Sequence, residues 1–153
     1  MTGDNLYSGS ADHTIINWNL RTLTKTLKFR NRDTHCADVL CLESIFVPGN
    51  PGLIASGGAD CVFKFWNLDG SINFSQSEMA AVTAIKFFDD YILLGLANGA
   101  IVMRGIENGL PTIFQLDNKS ACHGGAVVGF ERVGSNSFLS AGRDGYIMLW
   151  GGN

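Results

Sequence analysis

Serine, aspartate and tryptophan recur along this chain in the same order and at fixed spacings. In three segments a serine lies four residues before an aspartate, and a tryptophan lies six residues after that aspartate. These segments hold Ser8, Asp12 and Trp18; Ser56, Asp60 and Trp66; and Ser140, Asp144 and Trp150. With a histidine, serine and aspartate form the triad of hydrolases, whose serine must be exposed beside an oxyanion hole. The chain contains neither a G-x-S-x-G motif nor a P-loop. The spacing therefore points first to a repeated structural role.

The segments that carry these residues are four copies of one unit. They align without gaps on a shared apolar position, which is held in turn by Leu6, Ile54, Ile92 and Phe138. The third copy keeps the shape of the unit but has Leu94, Asn98 and Arg104 in place of Ser, Asp and Trp. Successive Asp or Asn positions are 48, 38 and 46 residues apart. These spacings lie close to the repeat of about 40 to 45 residues that is typical of a four-stranded propeller blade.

Each unit has the pattern of a β-hairpin. A short strand ends in a turn, as at 59–61 and 143–145, where Asp and Gly accept turn geometry at low cost. The returning strands at 62–66 and 146–150 are apolar on both faces, which is typical of strands buried on both sides. Upstream strands are marked by a valine and a large apolar residue three positions later: Val39 and Leu42, Val82 and Ile85, Val127 and Phe130. Outer strands are predicted at 23–29, 71–76 and 112–116.

Composition and charge restrict the class of protein. The chain has 153 residues, 46% hydrophobic and 16% charged, with 19 glycines and 3 prolines, which suits one compact domain of short strands and tight turns. A net charge of −3 gives no general attraction to nucleic acid or anionic lipid. The chain has no long apolar run and its N-terminus is polar, so we expect an intracellular protein, cytoplasmic or nuclear, that does not enter a membrane.

The cysteines do not predict a metal site. None of them forms a C-x-x-C pair, and we interpret them as small reduced residues: Cys36, Cys41, Cys61 and Cys122. Zinc could use the neighbouring His and Cys pairs at 35–36 and 122–123. However, adjacent residues of a strand point to opposite faces and rarely bind one ion together. We expect neither a metal nor a cofactor.

In these features the chain resembles the WD-repeat β-propeller family. The resemblance covers nearly the whole chain, and it rests on Ser, turn Asp and Trp at fixed offsets. Two units also carry the family's upstream histidine, at His35 and His123, although no glycine precedes either of them. The resemblance implies an all-β fold of propeller blades with a hydrogen-bonded tetrad inside a blade. The implied tetrads are His35, Ser56, Asp60 and Trp66, then His123, Ser140, Asp144 and Trp150, with a partial tetrad of Ser8, Asp12 and Trp18.

A tetrad of this kind satisfies all of its polar groups. The aspartate accepts from an imidazole N–H, the other imidazole nitrogen accepts from the serine hydroxyl, and the indole N–H donates to that serine oxygen. A serine inside a strand beside a tryptophan is not an exposed nucleophile, which favours a structural role over a hydrolase. The third unit lacks these residues, and we expect it to be a blade held by packing alone.

The resemblance implies a non-catalytic scaffold that presents top and rim loops to partner proteins. Arg143 precedes a turn aspartate where the other units have alanine, so it is a candidate partner contact, and Asp38 is a second. The alternative is an RNA-associated module using the edge at 21–32, which holds five of the eleven Lys and Arg residues and no acid. The same stretch is also explained as the outer strand of a blade, where Lys on the solvent face discourages edge-to-edge pairing. A hydrolase on a propeller frame is the least favoured interpretation.

Counting strands predicts an incomplete propeller of about four blades. The blades are predicted at 1–32, 33–77, 78–117 and 118–153, with three strands in the first and last and four in the others. Fourteen strands do not close the ring of about six to eight blades that is usual for the family. Three explanations follow: a piece of a longer propeller, which we favour, a ring completed by self-association or a second chain, or a compact open array.

Overall fold

The computed structural model of the chain describes residues 4–29, 34–46, 52–88, 91–107, 110–112 and 122–151. These residues contain fourteen strands and no helix. The strands are β1 (Asn5–Gly9), β2 (Ile15–Asn19), β3 (Thr24–Phe29), β4 (Val39–Ile45), β5 (Leu53–Gly58), β6 (Val62–Asn67), β7 (Ile72–Ser77), β8 (Val82–Phe88), β9 (Tyr91–Leu96), β10 (Ile101–Glu107), β11 (Leu110–Thr112), β12 (Val127–Arg132), β13 (Ser137–Gly142) and β14 (Ile147–Gly151). Across the same residues, no helix is long and apolar enough to span a membrane.

The strands form four antiparallel sheets, in each of which neighbours in sequence are neighbours in space. We call them blade 1 (β1–β3), blade 2 (β4–β7), blade 3 (β8–β11) and blade 4 (β12–β14). The predicted all-β fold with shorter first and last blades is confirmed. Strand β3 begins one residue later than predicted, because Leu23 has a left-handed φ of 55° and still belongs to the turn. Strand β11 ends at Thr112, and the rest of the strand predicted at 112–116 lies outside the described residues.

One turn recurs at the same end of all four blades. The fourth residue of each turn donates its N–H to the carbonyl of the first, in the pairs His13 to Ser10, Cys61 to Gly58, Gly99 to Leu96 and Gly145 to Gly142. These donors have left-handed φ values of 67°, 61°, 88° and 83°, which cost an L-residue about 1 to 2 kcal/mol. The Asp or Asn before each donor accepts the N–H two positions on through its side chain. We call this end of the blades the turn end.

The inner strands β4, β8 and β12 bring successive blades together. The valine that opens each of them lies against a glycine of the preceding blade: Val39 on Gly9, Val82 on Gly57 and Val127 on Gly95. A Cβ on Gly57 would lie 2.5 Å from a Val82 methyl carbon, which is too close for any carbon contact. Glycine is therefore required by the spacing between blades.

An apolar core lies between each pair of successive blades. Its members include Ile15, Phe29, Ile54 and Trp66 between blades 1 and 2, Phe63, Phe65, Ile92 and Leu94 between blades 2 and 3, and Phe88, Leu93, Phe130 and Phe138 between blades 3 and 4. Blade 3 is thus covered on both faces, which explains why β9 is apolar throughout. Removal of this apolar area from water is the main force that stacks the blades.

Candidate functional site

The structure brings His35, Ser56, Asp60 and Trp66 of blade 2 into one cluster. Nδ1 of His35 lies 2.9 Å from Oδ1 of Asp60, and its Nε2 lies 2.7 Å from the Ser56 hydroxyl. The Trp66 indole N–H donates to the same hydroxyl oxygen over 2.8 Å. Because a carboxylate can only accept, Nδ1 carries the imidazole hydrogen and Nε2 accepts from the serine. All polar side-chain atoms of the three buried residues His35, Ser56 and Trp66 are therefore used inside the blade.

Blade 4 repeats this arrangement around His123. Its Nδ1 lies 3.0 Å from Oδ1 of Asp144, its Nε2 lies 2.7 Å from the Ser140 hydroxyl, and the Trp150 N–H donates to that oxygen over 2.7 Å. In both blades the aspartate also accepts a backbone N–H from the residue after the histidine, Cys36 in blade 2 and Gly124 in blade 4. Each cluster therefore ties the loop before the inner strand to the turn between the next two strands.

Burial and hydrogen bonding shift the pKa values of the blade 2 cluster. Burial holds the pKa of His35 below its ordinary value, against the attraction of Asp60. Burial by itself would raise the pKa of Asp60, but hydrogen bonds from His35, Cys36 and Val62 outweigh it and lower that pKa. At neutral pH the cluster thus contains a neutral imidazole and an ionised carboxylate.

In blade 1 the structure joins only part of the predicted partial tetrad. The Trp18 indole N–H donates to Ser8 over 2.8 Å. Asp12 instead accepts from the Thr14 hydroxyl over 2.6 Å and lies 3.5 Å from the Lys28 ammonium. The hydrogen bond from Thr14 is the main reason why the pKa of Asp12 falls to about 2.

Blade 3 corrects the expectation of a blade held by packing alone. Arg104, at the tryptophan position of the unit, donates to Glu78 over 2.5 Å, and both side chains are buried. Glu78 lies four residues before Val82, as His35 lies four residues before Val39. An ion pair therefore joins the His and Trp positions directly, in a blade that has Leu94 at the serine position. The spacing from the valine could have revealed Glu78, which the sequence analysis did not single out.

The two candidate partner contacts, Asp38 and Arg143, are exposed at the turn end. Asp38 precedes β4 and accepts the Ala59 N–H through its carbonyl, and Arg143 donates its N–H to the Ala126 carbonyl in the same way. The two residues thus take opposite ends of the same recurring backbone hydrogen bond, Asp38 as acceptor in blade 2 and Arg143 as donor in blade 4. The hydrogen-bonded clusters anchor the backbone on which both are carried.

Residues 22–67 match the family model described as WD domain, G-beta repeat. The matched stretch runs from the turn before β3 to the end of β6 and includes His35, Ser56, Asp60 and Trp66. This stretch is therefore similar to a WD40 repeat. No curated protein matches the chain.

Solved structures extend the likeness from one WD40 repeat to the whole fold. The computationally designed Ika4 protein matches at 25% identity and a TM-score of 0.76 over 99% of this chain and 87% of that chain. The computationally designed Ika8 protein matches at 24% identity and a TM-score of 0.71, over 99% of this chain and 44% of that chain. U3-55K matches at 20% identity and a TM-score of 0.75, over 97% of this chain and 43% of that chain. The chain thus spans less than half of the Ika8 and U3-55K chains, whose likeness shows the fold alone. The resemblance to WD-repeat propellers is confirmed.

The serines of the two hydrogen-bonded clusters are closed to substrate. Ser56 is 0% exposed and Ser140 is 1% exposed, whereas a nucleophile must be open beside an oxyanion hole. Both ring nitrogens of His35 and of His123 are occupied by serine and aspartate, so neither ring is open to a metal. Among the described residues, no three His, Cys, Asp or Glu side chains are grouped to hold an ion.

The basic stretch at 21–32 includes β3, the outer strand of blade 1. Lys25 is exposed on β3, whereas Lys28 is half-buried beside Asp12. Arg21 lies 2.6 Å from Asp4, so part of the positive charge is balanced locally. Arg30 and Arg32 lie outside the described residues.

Proposed function

We propose that the chain is a non-catalytic scaffold that binds partner proteins at the turn end of its WD-repeat blades. The observation that carries the proposal is the contrast between the inside of the blades and this end. Inside each blade the polar side chains of the cluster bond to one another, around His35 in blade 2 and around His123 in blade 4. At the turn end, by contrast, the charged side chains of Asp38 and Arg143 are exposed on the loops that these clusters anchor. Rigid loops bind partners with little loss of conformational entropy.

Binding of proteins is the usual role of WD40 domains, and the turn end offers chemistry suited to it. Arg143 can pair with a carboxylate through two parallel hydrogen bonds, and Asp38 offers an opposite charge two blades away. The turn end therefore fits a partner segment that carries an acidic group for Arg143 and a basic group for Asp38, at the separation of these two residues.

Affinity purification from a cell extract, followed by mass spectrometry, tests this assignment. We expect Arg143→Glu and Asp38→Lys each to lose the partner proteins that the unchanged chain captures. Arg132→Glu is the matched control, because Arg132 is exposed on the same blade at the opposite end of β12. Recovery of the same proteins with both turn-end variants would contradict the proposal.

A panel of ester, peptide and phosphodiester substrates tests the non-catalytic part. We expect no turnover above that of a Ser56→Ala variant. Turnover that disappears in that variant would show that the buried serine is reached by substrate, and would favour a hydrolase instead.

A further inference from the structure

The turn that joins β9 to β10 in blade 3 carries an amide where the other blades carry a carboxylate. Blades 1, 2 and 4 have an aspartate at this position, at Asp12, Asp60 and Asp144, whereas blade 3 has Asn98. Asn98 is exposed at the turn end, and its Oδ1 accepts the Ala100 N–H over 3.2 Å. Water therefore has access to this carboxamide, in a turn that is built around a carboxylate elsewhere.

The residue that follows Asn98 makes this carboxamide reactive. Asn98 precedes Gly99, which has no Cβ to shield its backbone nitrogen. That nitrogen can attack Cγ of Asn98, which forms a bond between Gly99 N and Cγ and breaks the bond between Cγ and Nδ2. The side-chain nitrogen leaves as ammonia and takes the proton of the Gly99 N–H with it. The product of this step is a cyclic imide, which water then opens.

Water can open the imide at either of its two carbonyl carbons. Cleavage at Cγ gives ordinary aspartate, which can accept the Ala100 N–H as the turn aspartates of the other blades accept theirs. Cleavage at the backbone carbonyl gives isoaspartate, which adds one carbon to the main chain before Gly99. A Cβ on the buried Gly99 would already overlap the His123 carbonyl, and the Gly99 carbonyl accepts the His123 N–H over 3.1 Å. The contact between blades 3 and 4 therefore favours ordinary aspartate.

The fold also restrains the attacking nitrogen. The Gly99 N–H is donated to the Leu96 carbonyl over 3.0 Å, so the nitrogen reaches Cγ only when the turn opens locally. The 123–125 loop of blade 4 lies against Gly99. Within that loop the Gly124 N–H is donated to Asp144 over 2.7 Å. Opening of the blade 3 turn therefore depends on how firmly Asp144 holds the blade 4 loop.

We propose that Asn98 is a site of spontaneous deamidation, which water converts to aspartate at a rate set by the blade 3 turn and the blade 4 loop together. The overall reaction consumes one water molecule and releases one molecule of ammonia. The converted chain carries one more negative charge at the turn end and has an aspartate at this position in all four blades.

Incubation of the purified chain at mildly alkaline pH, followed by peptide mass mapping, tests this proposal. We expect the peptide that contains Asn98 to gain the mass of an amide-to-acid conversion, about tenfold more slowly in the folded chain than in urea. An endoproteinase that cleaves before aspartate but not before isoaspartate identifies the product. Ordinary aspartate should predominate in the folded chain but not in urea. Asn98→Gln is the control, because its longer side chain does not form the imide readily.

Two further variants test whether the blade 4 loop controls the turn. Asp144→Ala releases the loop that lies against Gly99 and should accelerate the deamidation of Asn98. Asp60→Ala is the matched control, because it releases the equivalent loop of blade 2, which precedes Val39 and adjoins blade 1. This variant should leave the rate at Asn98 unchanged. The rates are compared at a temperature at which circular dichroism shows both variants folded.

Three outcomes would overturn the proposal. An unchanged mass at Asn98 in the folded chain, while the chain in urea is converted, would show that the turn does not open. Isoaspartate as the main product in the folded chain would show that the contact with His123 does not select the product. Equal rates in Asp144→Ala and Asp60→Ala would show that the blade 4 loop does not control the reaction.

Discussion

Arg104 and Glu78 form a buried ion pair at 2.5 Å in blade 3, at the two positions where blade 2 has Trp66 and His35. Their side chains are only 7% and 6% exposed. Nε of Arg104 has no hydrogen-bond partner among the described residues. Charges held out of water in this way stabilise a fold only while both partners are present.

Removal of one partner of this pair should therefore destabilise the chain strongly. We expect Glu78→Met to lower the free energy of unfolding by about 3 kcal/mol, because the Arg104 charge stays buried without a counter-ion. Urea denaturation followed by circular dichroism measures the change. The double variant Glu78→Met with Arg104→Met should regain most of the loss, since an apolar pair leaves no buried charge. Equal losses in the single and double variants would contradict the argument.

The Asp60 carboxylate should be required for the stability of blade 2. Asp60→Ala leaves the buried His35 N–H and the Cys36 N–H without an acceptor, so we expect a loss of about 1 to 3 kcal/mol. Thermal melting measures it against Asp38→Ala, which removes an exposed carboxylate at the same end of the blade. An unchanged melting temperature in Asp60→Ala would mean that the cluster adds nothing to stability.

The stability of the chain should fall as the solution is acidified below neutral pH. In the unfolded chain His35 titrates near its ordinary pKa of 6.5, whereas in the fold its pKa is lower. The unfolded state therefore binds more protons in this window, so the stabilisation is present above pH 6.5 and is lost as the pH falls below it. The lowered pKa of Asp60 adds a further loss below its ordinary value of 3.8. Protonation of His35 and protonation of Asp60 therefore both lower the free energy of unfolding as the pH falls.

Urea midpoints at pH 7.5, 6.5 and 5.5 measure this dependence. We expect a decrease across the series that is smaller in a His35→Gln variant, which cannot gain a proton at this position. A flat series in the unchanged chain, or an equal slope in the variant, would show that His35 is not the group responsible.

The contact between Gly57 and Val82 should set the spacing of blades 2 and 3. A Cβ at Gly57 would lie 2.5 Å from a Val82 methyl carbon and 2.7 Å from Sγ of Cys41. We expect Gly57→Ala to cost about 1 to 3 kcal/mol through overpacking. Adding Val82→Ala should make the total loss smaller than the sum of the single losses.

Gly129→Ala is the matched control for this contact. Gly129 also lies in a strand, but an added Cβ there would meet no atom within 4 Å. Calorimetry should find its melting temperature unchanged or slightly raised, because alanine is less flexible than glycine in the unfolded chain. An equal loss in both variants would mean that backbone preference, and not the contact between blades, determines the effect.

Much of this arrangement could be read from the spacing of residues. The apolar position held by Ile54 and Phe138 was enough to align the hairpins, and Asp60 and Asp144 marked the turns at which the chain reverses direction. Both depend on neighbours that are close in sequence, so local pattern was sufficient. The ion pair of blade 3 was missed because neither Glu nor Arg is typical of a buried position.

The sequence by itself determined the number of strands and their order in each blade, because these follow from a repeat whose period is local. Only the tertiary structure decided that Asp12 bonds to Thr14 and not within a tetrad, and that Ile147 and Leu149 are exposed while Phe63 and Phe65 are buried. Equivalent residues of a repeat differ in this way because burial depends on which blade lies opposite, and that is a property of the stack rather than of the unit.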